Sequence, residues 1–332
     1  MKTGKLKNNL AFVKVPMRLE FLGGSTDISS FYTRYTGHVL NAAINKYIYV
    51  LVRRIGEPRV RLCHEEIEDV KHSHELVHNR TRAALAEYKI NQNIEIVSLT
   101  DIPGGSGLGS SSSFSVAILQ ALSVLAGKPV RNAREVAEQA CRLEIDILKE
   151  PIGKQDQYGA AFGGINLLTF NKNGWVDRKH IVLSKEVERE FYKHFIVFNT
   201  GKGHSASRIL GEQKKTANDK FKYLKQMSDL VPDATRALQK GDLKLFAEFL
   251  YKEWMIKKNL TAEVTTPQLE KMYKLASSAG AWGGRVSGAG GGGFMFLLAP
   301  PGKHAAIKKA LKDYAIANFR FTGEGAKTIL IK

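Results

Sequence analysis

The 332-residue sequence contains little cysteine and no long apolar run. Its two cysteines, Cys63 and Cys141, lie far apart without CxxC spacing, which argues against a disulfide scaffold and a structural zinc site. No segment reaches the roughly 18 to 20 apolar residues of a membrane-spanning helix, and residues 1–15 lack the apolar core of a signal peptide. We therefore expect a cytoplasmic protein that does not bind membranes.

Acidic residues are also in deficit. The sequence has 32 Asp and Glu against 50 Lys and Arg, a net charge of +18, and this balance favours an anionic ligand. The basic residues are scattered, whereas a nucleic-acid-binding protein more often concentrates them on one arm or helix. The charge by itself does not distinguish a phosphate compound from nucleic acid or an acidic membrane. We expect a small-molecule ligand, no nucleic acid, and a monomer or homodimer. A basic RNA-binding protein without enzymatic activity is the alternative.

The 30 glycines cluster where the predicted secondary structure changes. Residues 93–100 alternate apolar and polar side chains, which predicts a strand, and residues 114–126 are apolar on nearly every face, which predicts a buried helix. Asn132 and Glu135 have the spacing of a capping box for an amphipathic helix that ends before Pro151. Further strands are predicted at 47–54, 59–63, 164–170, 194–200 and 292–299, and further helices at 205–230, 233–258, 267–279 and 303–317.

The loop before the buried helix has the sequence PGGSGLGSSSS at 103–113. Glycines let backbone N–H groups turn inward, and the serines begin a helix whose N-terminus carries a partial positive charge. The pattern predicts a phosphate site, with a serine-capped glycine turn as the alternative. It is not a Walker loop, because no GxxxxGK[ST] sequence occurs. The predicted phosphate-binding residues are Gly104, Gly105, Ser106, Gly107, Leu108, Gly109, Ser110, Ser111 and Ser112.

Three motifs follow one another along the chain: VPMRLEFLGGSTD at 15–27, the 103–113 loop, and GGRVSGAGGGGFMFL at 283–297. Together they resemble the GHMP kinase family, whose second motif is PxxxGLGSS. The resemblance implies an ATP-dependent phosphotransferase of the α+β class, with a ribosomal-protein-like N-terminal α/β domain that binds ATP, a ferredoxin-like C-terminal α+β domain, and the active site between them. The polar stretch 172–192 predicts the boundary, which divides the chain into residues 1–185 and 186–332.

The resemblance implies roles for several polar residues. Asp156 matches the proposed catalytic base, and Arg18 matches a cation that steadies negative charge or lowers a pKa. Glu144, twelve residues before Asp156, and Ser110 match the ligands of Mg²⁺, a hard cation that prefers oxygen, with Ser111 as the alternative serine. Asp156 follows a helix closed by Pro151 and is predicted in a glycine-flanked loop that could project its carboxylate into a cleft. The alternatives are that Asp156 caps its loop and that Glu144 forms a salt bridge with Lys149 or Arg142.

The third motif also fits the GxGxxG fingerprint of dinucleotide-binding folds through Gly288, Gly290 and Gly293. That fingerprint requires a helix after the glycines and an acidic residue about 20 positions later. Here an apolar, strand-like run follows them, so the context does not support dinucleotide binding. The resemblance implies instead that Gly290 and Gly291 lie close to the substrate.

The first motif carries the residues that the resemblance assigns to the acceptor. Asp27 matches an aspartate that hydrogen-bonds sugar hydroxyls in related sugar kinases. Gly24, Ser25 and Thr26 stand where the usual family sequence GEHxD has a Glu-His pair. We expect this exchange to leave room for a bulkier or more anionic sugar than galactose.

Two longer segments, at 143–164 and 198–210, are most similar to the heptose 7-phosphate kinase branch of the family, with the fucokinase domain as near kin. This similarity implies phosphorylation of the anomeric C1 hydroxyl of D-glycero-D-manno-heptose 7-phosphate, on the route to nucleotide-activated heptose for surface polysaccharide. A sugar phosphate needs cations, and the predicted set is Lys202, His204 and Arg208, although solvated helix residues are an alternative interpretation. A fucokinase- or galactokinase-like enzyme acting on a free sugar is the alternative function.

Residues 74–78 have the sequence HELVH, a literal HExxH. On one helix, His74 and His78 would share a face and bind zinc beside Glu75 as a general base. No clear third ligand follows in the extended pattern. A zinc metallopeptidase is therefore a remote alternative.

Overall fold

The computed structural model describes residues 8–201 and 217–332, with the side chains of 217–219 left out. Within these ranges the chain forms two β-sheets. Their strands are β1 (Leu10–Leu22), β2 (Gly37–Arg54), β3 (Val60–Cys63), β4 (Ile67–Val70), β5 (Ile94–Thr100), β6 (Ile165–Phe170), β7 (Val176–Ile181), β8 (Phe195–Gly201), β9 (Gly283–Val286), β10 (Gly293–Leu298), β11 (Ile316–Ala317) and β12 (Lys327–Ile331).

The α-helices pack on the faces of these sheets. A π-helical turn, Arg142–Ile147, continues the fourth helix. The described part of the chain contains no helix with the length and apolar composition needed to cross a membrane. The helices are α1 (Ser29–Tyr32), α2 (Asn79–Glu87), α3 (Ser110–Leu125), α4 (Ala133–Cys141), α5 (Gln155–Phe162), α6 (Lys185–His194), α7 (Ala217–Lys240), α8 (Leu243–Lys257), α9 (Pro267–Ser278) and α10 (His304–Ala310).

The larger sheet has eight strands in the order β12-β1-β2-β5-β3-β4, with β6 and β7 added along the first part of β2. The long strand β2 pairs with β6 over residues 37–42 and with β5 over residues 48–54. Apolar on nearly every side, α3 is buried against β1 and β2. This packing places the start of α3 beside the middle of β1.

The smaller sheet is antiparallel, in the order β11-β8-β10-β9. Side chains from α9 and α10 share a core with β9 and β10, and α8 packs against β9. The last strand, β12, returns to the larger sheet and pairs with β1. Residues 186–332 therefore contribute to both sheets, and the domain boundary at residue 185 stays a prediction.

Several predicted elements are confirmed. The strand at 93–100 and the helix at 114–126 correspond to β5 and α3, and Asn132 caps α4 by accepting a hydrogen bond from the N–H of Glu135 at 3.0 Å. Two predicted helix boundaries are wrong. The break predicted between residues 230 and 233 does not occur, because α7 continues through Pro232 to Lys240. The helix predicted at 303–317 is shorter, because α10 ends at Ala310 and is followed by β11. The helix predicted at 205–230 lies partly outside the described residues.

Sequence alternation does not predict β1, the strand that carries the first motif. This strand contacts α3 and α5 as well as α7 and α8, and its second half is buried on both faces. A strand covered on both faces needs no polar residues at alternate positions.

Candidate active site

A cavity of about 270 Å³ lies between the end of β1, the N-termini of α3 and α5, and the turn before β10. It brings together residues from all three sequence motifs. The predicted site residues that line it are Arg18, Ser25, Asp27, Gly105, Gly107, Gly109, Ser110, Ser111, Ser112 and Asp156.

Arg18 and Asp156 form the best-defined pair in this cavity. Arg18 Nε donates to Asp156 Oδ1 at 2.7 Å, and Nη2 donates to Oδ2 at 2.8 Å. Burial opposes the charge on Arg18, but the nearby carboxylate of Asp156 raises its pKa. Asp156 lies in the first turn of α5 and not in a loop as predicted, so a helix and a strand hold the two partners rigidly.

The glycine-rich loop ends at the first residue of α3. Gly107 and Gly109 have φ angles of +75° and +71°, a conformation that side chains disfavour. The carbonyl of Gly107 accepts hydrogen bonds from Arg18 Nη1 at 2.6 Å and from Ser287 Oγ at 3.0 Å. A Cβ atom on Gly107 would lie 2.6 Å from the carbonyl oxygen of Ser287. The second and third motifs therefore pack closely against each other.

Three of the predicted phosphate-loop residues do not line this cavity. Gly104 borders a smaller hollow beside it. Ser106 is buried, and its hydroxyl has no hydrogen-bond partner among the described residues. The side chain of Leu108 is in the hydrophobic core, while its carbonyl accepts from the N–H of Arg18 at 3.0 Å.

Asp27 is buried in the wall of the cavity close to Asp156. Its carboxylate accepts from the N–H of Gln155 at 2.9 Å, and a Cβ on Gly153 would lie only 2.0 Å from it. Burial, followed by the negative charges of Asp156 and Glu20, raises the pKa of Asp27 to about 7. Asp27 therefore titrates near neutral pH.

The rest of the first motif differs from the prediction. Ser25 lines the cavity with a φ of +73°, which is uncommon for a residue with a side chain. Thr26 faces away, because its hydroxyl donates to the carbonyl of Gly23 at 2.7 Å. The expectation that Gly24 leaves room for a larger sugar is wrong, because the carboxylate of Glu20 fills the space beside it.

In the third motif, the residues that line the cavity lie two positions before the predicted substrate contacts, Gly290 and Gly291. Gly290 lies against Val264, since a Cβ there would be 2.5 Å from the Val264 carbonyl oxygen. The N–H of Gly291 donates to that same oxygen at 2.8 Å. Gly288 and Ala289 line the cavity instead.

The cations predicted for a sugar phosphate, Lys202, His204 and Arg208, lie outside the described residues. In the described part of the cavity wall, the cationic side chains are Arg18, Arg80 and Lys257. Each of the three pairs with a carboxylate.

Glu144 lies in the π-helical turn and is fully buried. Its carboxylate accepts from Ser112 Oγ at 2.8 Å, Ser115 Oγ at 2.9 Å, Arg80 Nε at 3.1 Å and the side-chain amide of Gln157. Ser112, and not Ser110, is therefore the serine that touches it.

The oxygen atoms around Glu144 are of the type that magnesium prefers, but the carboxylate already accepts four hydrogen bonds, so an ion would have to replace at least one of these donors. The carboxylate and the serine hydroxyls are hard oxygen ligands, and Gln157 Oε1 is buried without a hydrogen-bond partner among the described residues. The described residues contain no cluster of three His, Cys, Asp or Glu that could hold a metal ion alone. One carboxylate would therefore act together with hydroxyls and the phosphates of a bound nucleotide.

Sequence reasoning did not identify Glu20, Gln155 and Lys257 as cavity residues. A signal existed for Glu20, because residues two apart on a strand share a face and Arg18 precedes it by two. Gln155 directly precedes Asp156. Lys257, at the end of α8, has no local pattern that marks it.

The HExxH segment does not form a zinc site. Ser73–Glu75 is a short 3₁₀ turn, and His78 caps the separate helix α2. The His78 ring lies 4.8 Å from that of His64, and burial, together with the charges of His64 and Arg80, lowers the pKa of His78 to about 4. His74 stacks on His72 instead. The helix that a metallopeptidase needs is therefore absent from this described segment.

Comparisons with known proteins agree on one family. Residues 75–164 match the GHMP kinases N terminal domain, and residues 234–317 match GHMP kinases C terminal. The chain is 31% identical over 334 residues to the D-glycero-alpha-D-manno-heptose 7-phosphate kinase of Campylobacter jejuni, covering 95% of this chain and 97% of that protein. It is 27% identical to a galactokinase of Pyrococcus furiosus, covering 96% and 97% of the two chains.

A solved structure is also similar. The crystal structure of a D-glycero-D-manno-heptose 1-phosphate kinase from Bacteroides thetaiotaomicron has a TM-score of 0.79 and 26% identity, covering 97% of this chain and 99% of that one. The predicted two-domain fold of mixed α and β content is confirmed by this likeness. The chain belongs to the GHMP kinases and is an ATP-dependent sugar kinase of that family.

Proposed function

We propose that this protein transfers the γ-phosphoryl group of ATP to the anomeric C1 hydroxyl of D-glycero-D-manno-heptose 7-phosphate and yields the 1,7-bisphosphate. The observation that carries the chemistry is the Arg18–Asp156 pair, which faces the glycine-rich loop inside one cavity. The similarity to the C. jejuni heptose 7-phosphate kinase over nearly the whole chain supports the choice of acceptor.

In this proposal the ATP phosphates bind the 103–113 loop and the N-terminus of α3, where backbone N–H groups and the helix dipole favour anions. The nucleoside extends toward the smaller hollow. There the half-buried rings of His64 and His78 pack against the buried ring of Phe114, with centroids about 5 Å apart, and the two imidazoles offer surfaces for stacking.

Asp156 acts on the acceptor hydroxyl. The C1 oxygen forms a bond to the γ-phosphorus, the bond from that phosphorus to the bridging oxygen of ADP breaks, and the hydroxyl proton passes to the Asp156 carboxylate. Because Arg18 already donates to both carboxylate oxygens, we expect Asp156 to contribute mainly by orienting the hydroxyl, as suits a loose phosphoryl transition state. Arg18 stabilises the negative charge that develops nearby.

Two further assignments complete the proposal. Asp27 and Ser25 bind sugar hydroxyls from the wall next to Asp156. Glu144 would hold Mg²⁺ together with Ser112, which touches it, or with Ser110 as the resemblance implies, and such an ion would supply positive charge beside the phosphates.

A free sugar is the second candidate acceptor. One observation favours it: Arg18, Arg80 and Lys257, the cationic side chains in the described cavity wall, all pair with carboxylates. A full-length similarity to galactokinase points the same way.

A substrate panel tests the proposal. The protein with Mg-ATP is given heptose 7-phosphate, heptose 1-phosphate, fucose, galactose and mannose, and ADP release is measured. We expect heptose 7-phosphate to have the highest kcat/KM, and ³¹P NMR to show a new phosphate on C1. Faster turnover of a free sugar would replace the proposed acceptor, and absence of sugar-dependent ADP release would overturn the function.

A further inference from the structure

One wall of the cavity is formed by a buried network of charged residues. Glu20 accepts from Lys257 Nζ at 3.1 Å, from Arg285 Nη2 at 2.7 Å and from Gln155 Nε2 at 2.7 Å. Burial alone would raise the pKa of Glu20, but the charges of Lys257 and Arg285 hold it at about 2. Glu20 is therefore ionised at every pH at which the enzyme would work.

This carboxylate occupies the space of a missing side chain. A Cβ on Gly24 would lie 2.2 Å from Glu20 Oε1 and 2.4 Å from its Cδ. Gly24 does not have a positive φ, so its backbone conformation does not require glycine, and the Glu20 carboxylate is what leaves no room for a Cβ. Glu20 thus fills, from β1, the space in which the Glu side chain of the GEHxD motif would begin at position 24.

Gln155 completes the same wall. Its side-chain N–H₂ donates to Glu20, which fixes the amide orientation, and its main-chain N–H donates to Asp27. The remaining amide oxygen, Oε1, is buried in the cavity wall and has no hydrogen-bond donor among the described residues. A buried hydrogen-bond acceptor without a donor costs free energy. A ligand that donates a hydrogen bond to this oxygen recovers that free energy when it binds.

We infer that Glu20 and Gln155 are specificity-determining residues that recognise a hydroxyl of the acceptor sugar. Gln155 Oε1 accepts a hydrogen bond from that hydroxyl. The Glu20 carboxylate orients the amide and, with three of about four acceptor positions occupied, has one left for a second hydroxyl. This inference rests on the proposed function, because it requires a polyhydroxylated acceptor in the cavity.

Two variants test the wall without removing the charge of Glu20, since that removal would leave Lys257 and Arg285 buried with too few partners. Gln155→Met removes the acceptor at similar side-chain length. Gly24→Ala displaces the Glu20 carboxylate and keeps every charge. Glu253→Gln is the matched control, because Glu253 is an equally buried partner of Arg285 that does not line the cavity.

The experiment measures how strongly the enzyme discriminates against acceptor sugars that lack one hydroxyl. Heptose 7-phosphate and its 2-, 3-, 4- and 6-monodeoxy analogues are compared by kcat/KM, with KM for ATP as a readout of general damage. In the unmodified protein we expect at least one analogue to lose about 10- to 100-fold in kcat/KM. In Gln155→Met and Gly24→Ala that loss should largely disappear with KM for ATP unchanged, and Glu253→Gln should retain it.

The possible outcomes distinguish a failure of the inference about Glu20 and Gln155 from a failure of the proposed function. Unchanged discrimination in both Gln155→Met and Gly24→Ala would overturn the inference while leaving the kinase function in place. An equal loss of discrimination in Glu253→Gln would also overturn it, because the effect would then be general. If the unmodified protein does not turn over heptose 7-phosphate or any other sugar, the proposed function fails and this inference fails with it.

Discussion

The Arg18 guanidinium and the Asp156 carboxylate meet through two parallel hydrogen bonds of 2.7 and 2.8 Å, although 138 residues separate them in the chain. Arg18 comes from β1 and is 4% exposed, whereas Asp156 begins α5 and opens into the cavity. Because regular structure holds both partners, the pair has a fixed geometry, and our proposed mechanism requires such a geometry for the approach of a hydroxyl to the nucleotide.

Asp156→Asn should lower kcat by about 10²- to 10⁴-fold, because an amide of the same shape accepts only one of the two hydrogen bonds from Arg18, so it orients the hydroxyl less well, and it cannot take up the proton. ATP affinity, measured by calorimetry, should stay close to that of the unmodified protein, since among the described residues Asp156 is hydrogen-bonded to Arg18 and not to the glycine-rich loop. Asp177→Asn is the control, because Asp177 is an exposed carboxylate that, among the described residues, accepts hydrogen bonds from Asn171 and Trp175 alone. Full activity of Asp156→Asn would exclude its role.

Arg18→Lys should lower kcat and also raise KM for ATP. Lysine keeps the charge but cannot make two parallel hydrogen bonds, and it loses the contact to the carbonyl of Gly107 at 2.6 Å. We expect a loss of at least about tenfold in kcat/KM for ATP, equivalent to roughly 1.4 kcal/mol. An unchanged KM for ATP would show that Arg18 does not support the loop.

Gly107→Ala should impair ATP binding more than Gly105→Ala. Both positions have positive φ, so each variant carries about 1–2 kcal/mol of backbone strain. Only Gly107 faces a close neighbour, the Ser287 carbonyl, while a Cβ on Gly105 has nothing within 4 Å. Steady-state KM for ATP and the melting temperature separate the two effects, and equal KM values would contradict our assignment of the loop.

Asp27 should make sugar use depend on pH near neutrality. Its pKa is raised to about 7, mainly by burial, and an ionised carboxylate is the better acceptor for sugar hydroxyls. We expect kcat/KM for the sugar to fall as pH drops below about 7, and Asp27→Asn to be slower without that step. A step that persists in the variant would assign the titration to another group.

The raised pKa of Asp27 also affects the stability of the protein, but stability decreases as pH rises, whereas sugar use increases. Because the folded pKa of Asp27 lies above its unfolded value of 3.8, the folded state holds a proton more tightly. The contribution of Asp27 therefore falls as pH rises from about 4 to about 7, by about 4 kcal/mol in total. The difference in unfolding free energy between the protein and Asp27→Asn should show this slope in denaturant titrations across that range.

Arg80→Met should destabilise the protein and increase its response to magnesium. Arg80 bridges Glu144 at 3.1 Å and Glu150 at 2.6 Å, so its removal leaves two carboxylates without a cation. We expect a loss of about 3 kcal/mol in unfolding free energy. Added Mg²⁺ should raise the melting temperature of Arg80→Met more than that of the unmodified protein, with Arg80→Lys intermediate. Equal responses would argue against a cation site at Glu144.

Local features of the chain were sufficient to predict the glycine-rich loop before α3 and the family. Glycines followed by serines and an unbroken apolar helix predict a helix N-terminus beside a strand, and α3 begins at Ser110 as that pattern requires. The cap at Asn132 also follows from spacing alone. Such features depend on neighbours within one or two turns, so a single sequence contains them.

The cavity wall around Glu20 depends on distant parts of the chain. Glu20 meets Lys257 and Arg285 across 237 and 265 residues, and no periodicity within β1 or α8 specifies those partners. The HExxH segment shows that local spacing can also mislead. Its residues have the spacing of a zinc site, but the backbone turns between Glu75 and His78, so the two histidines do not share a helix face. Long-range packing decides which charges share a buried space, since burial makes an unpaired charge costly and thereby selects the partners that the fold brings within reach.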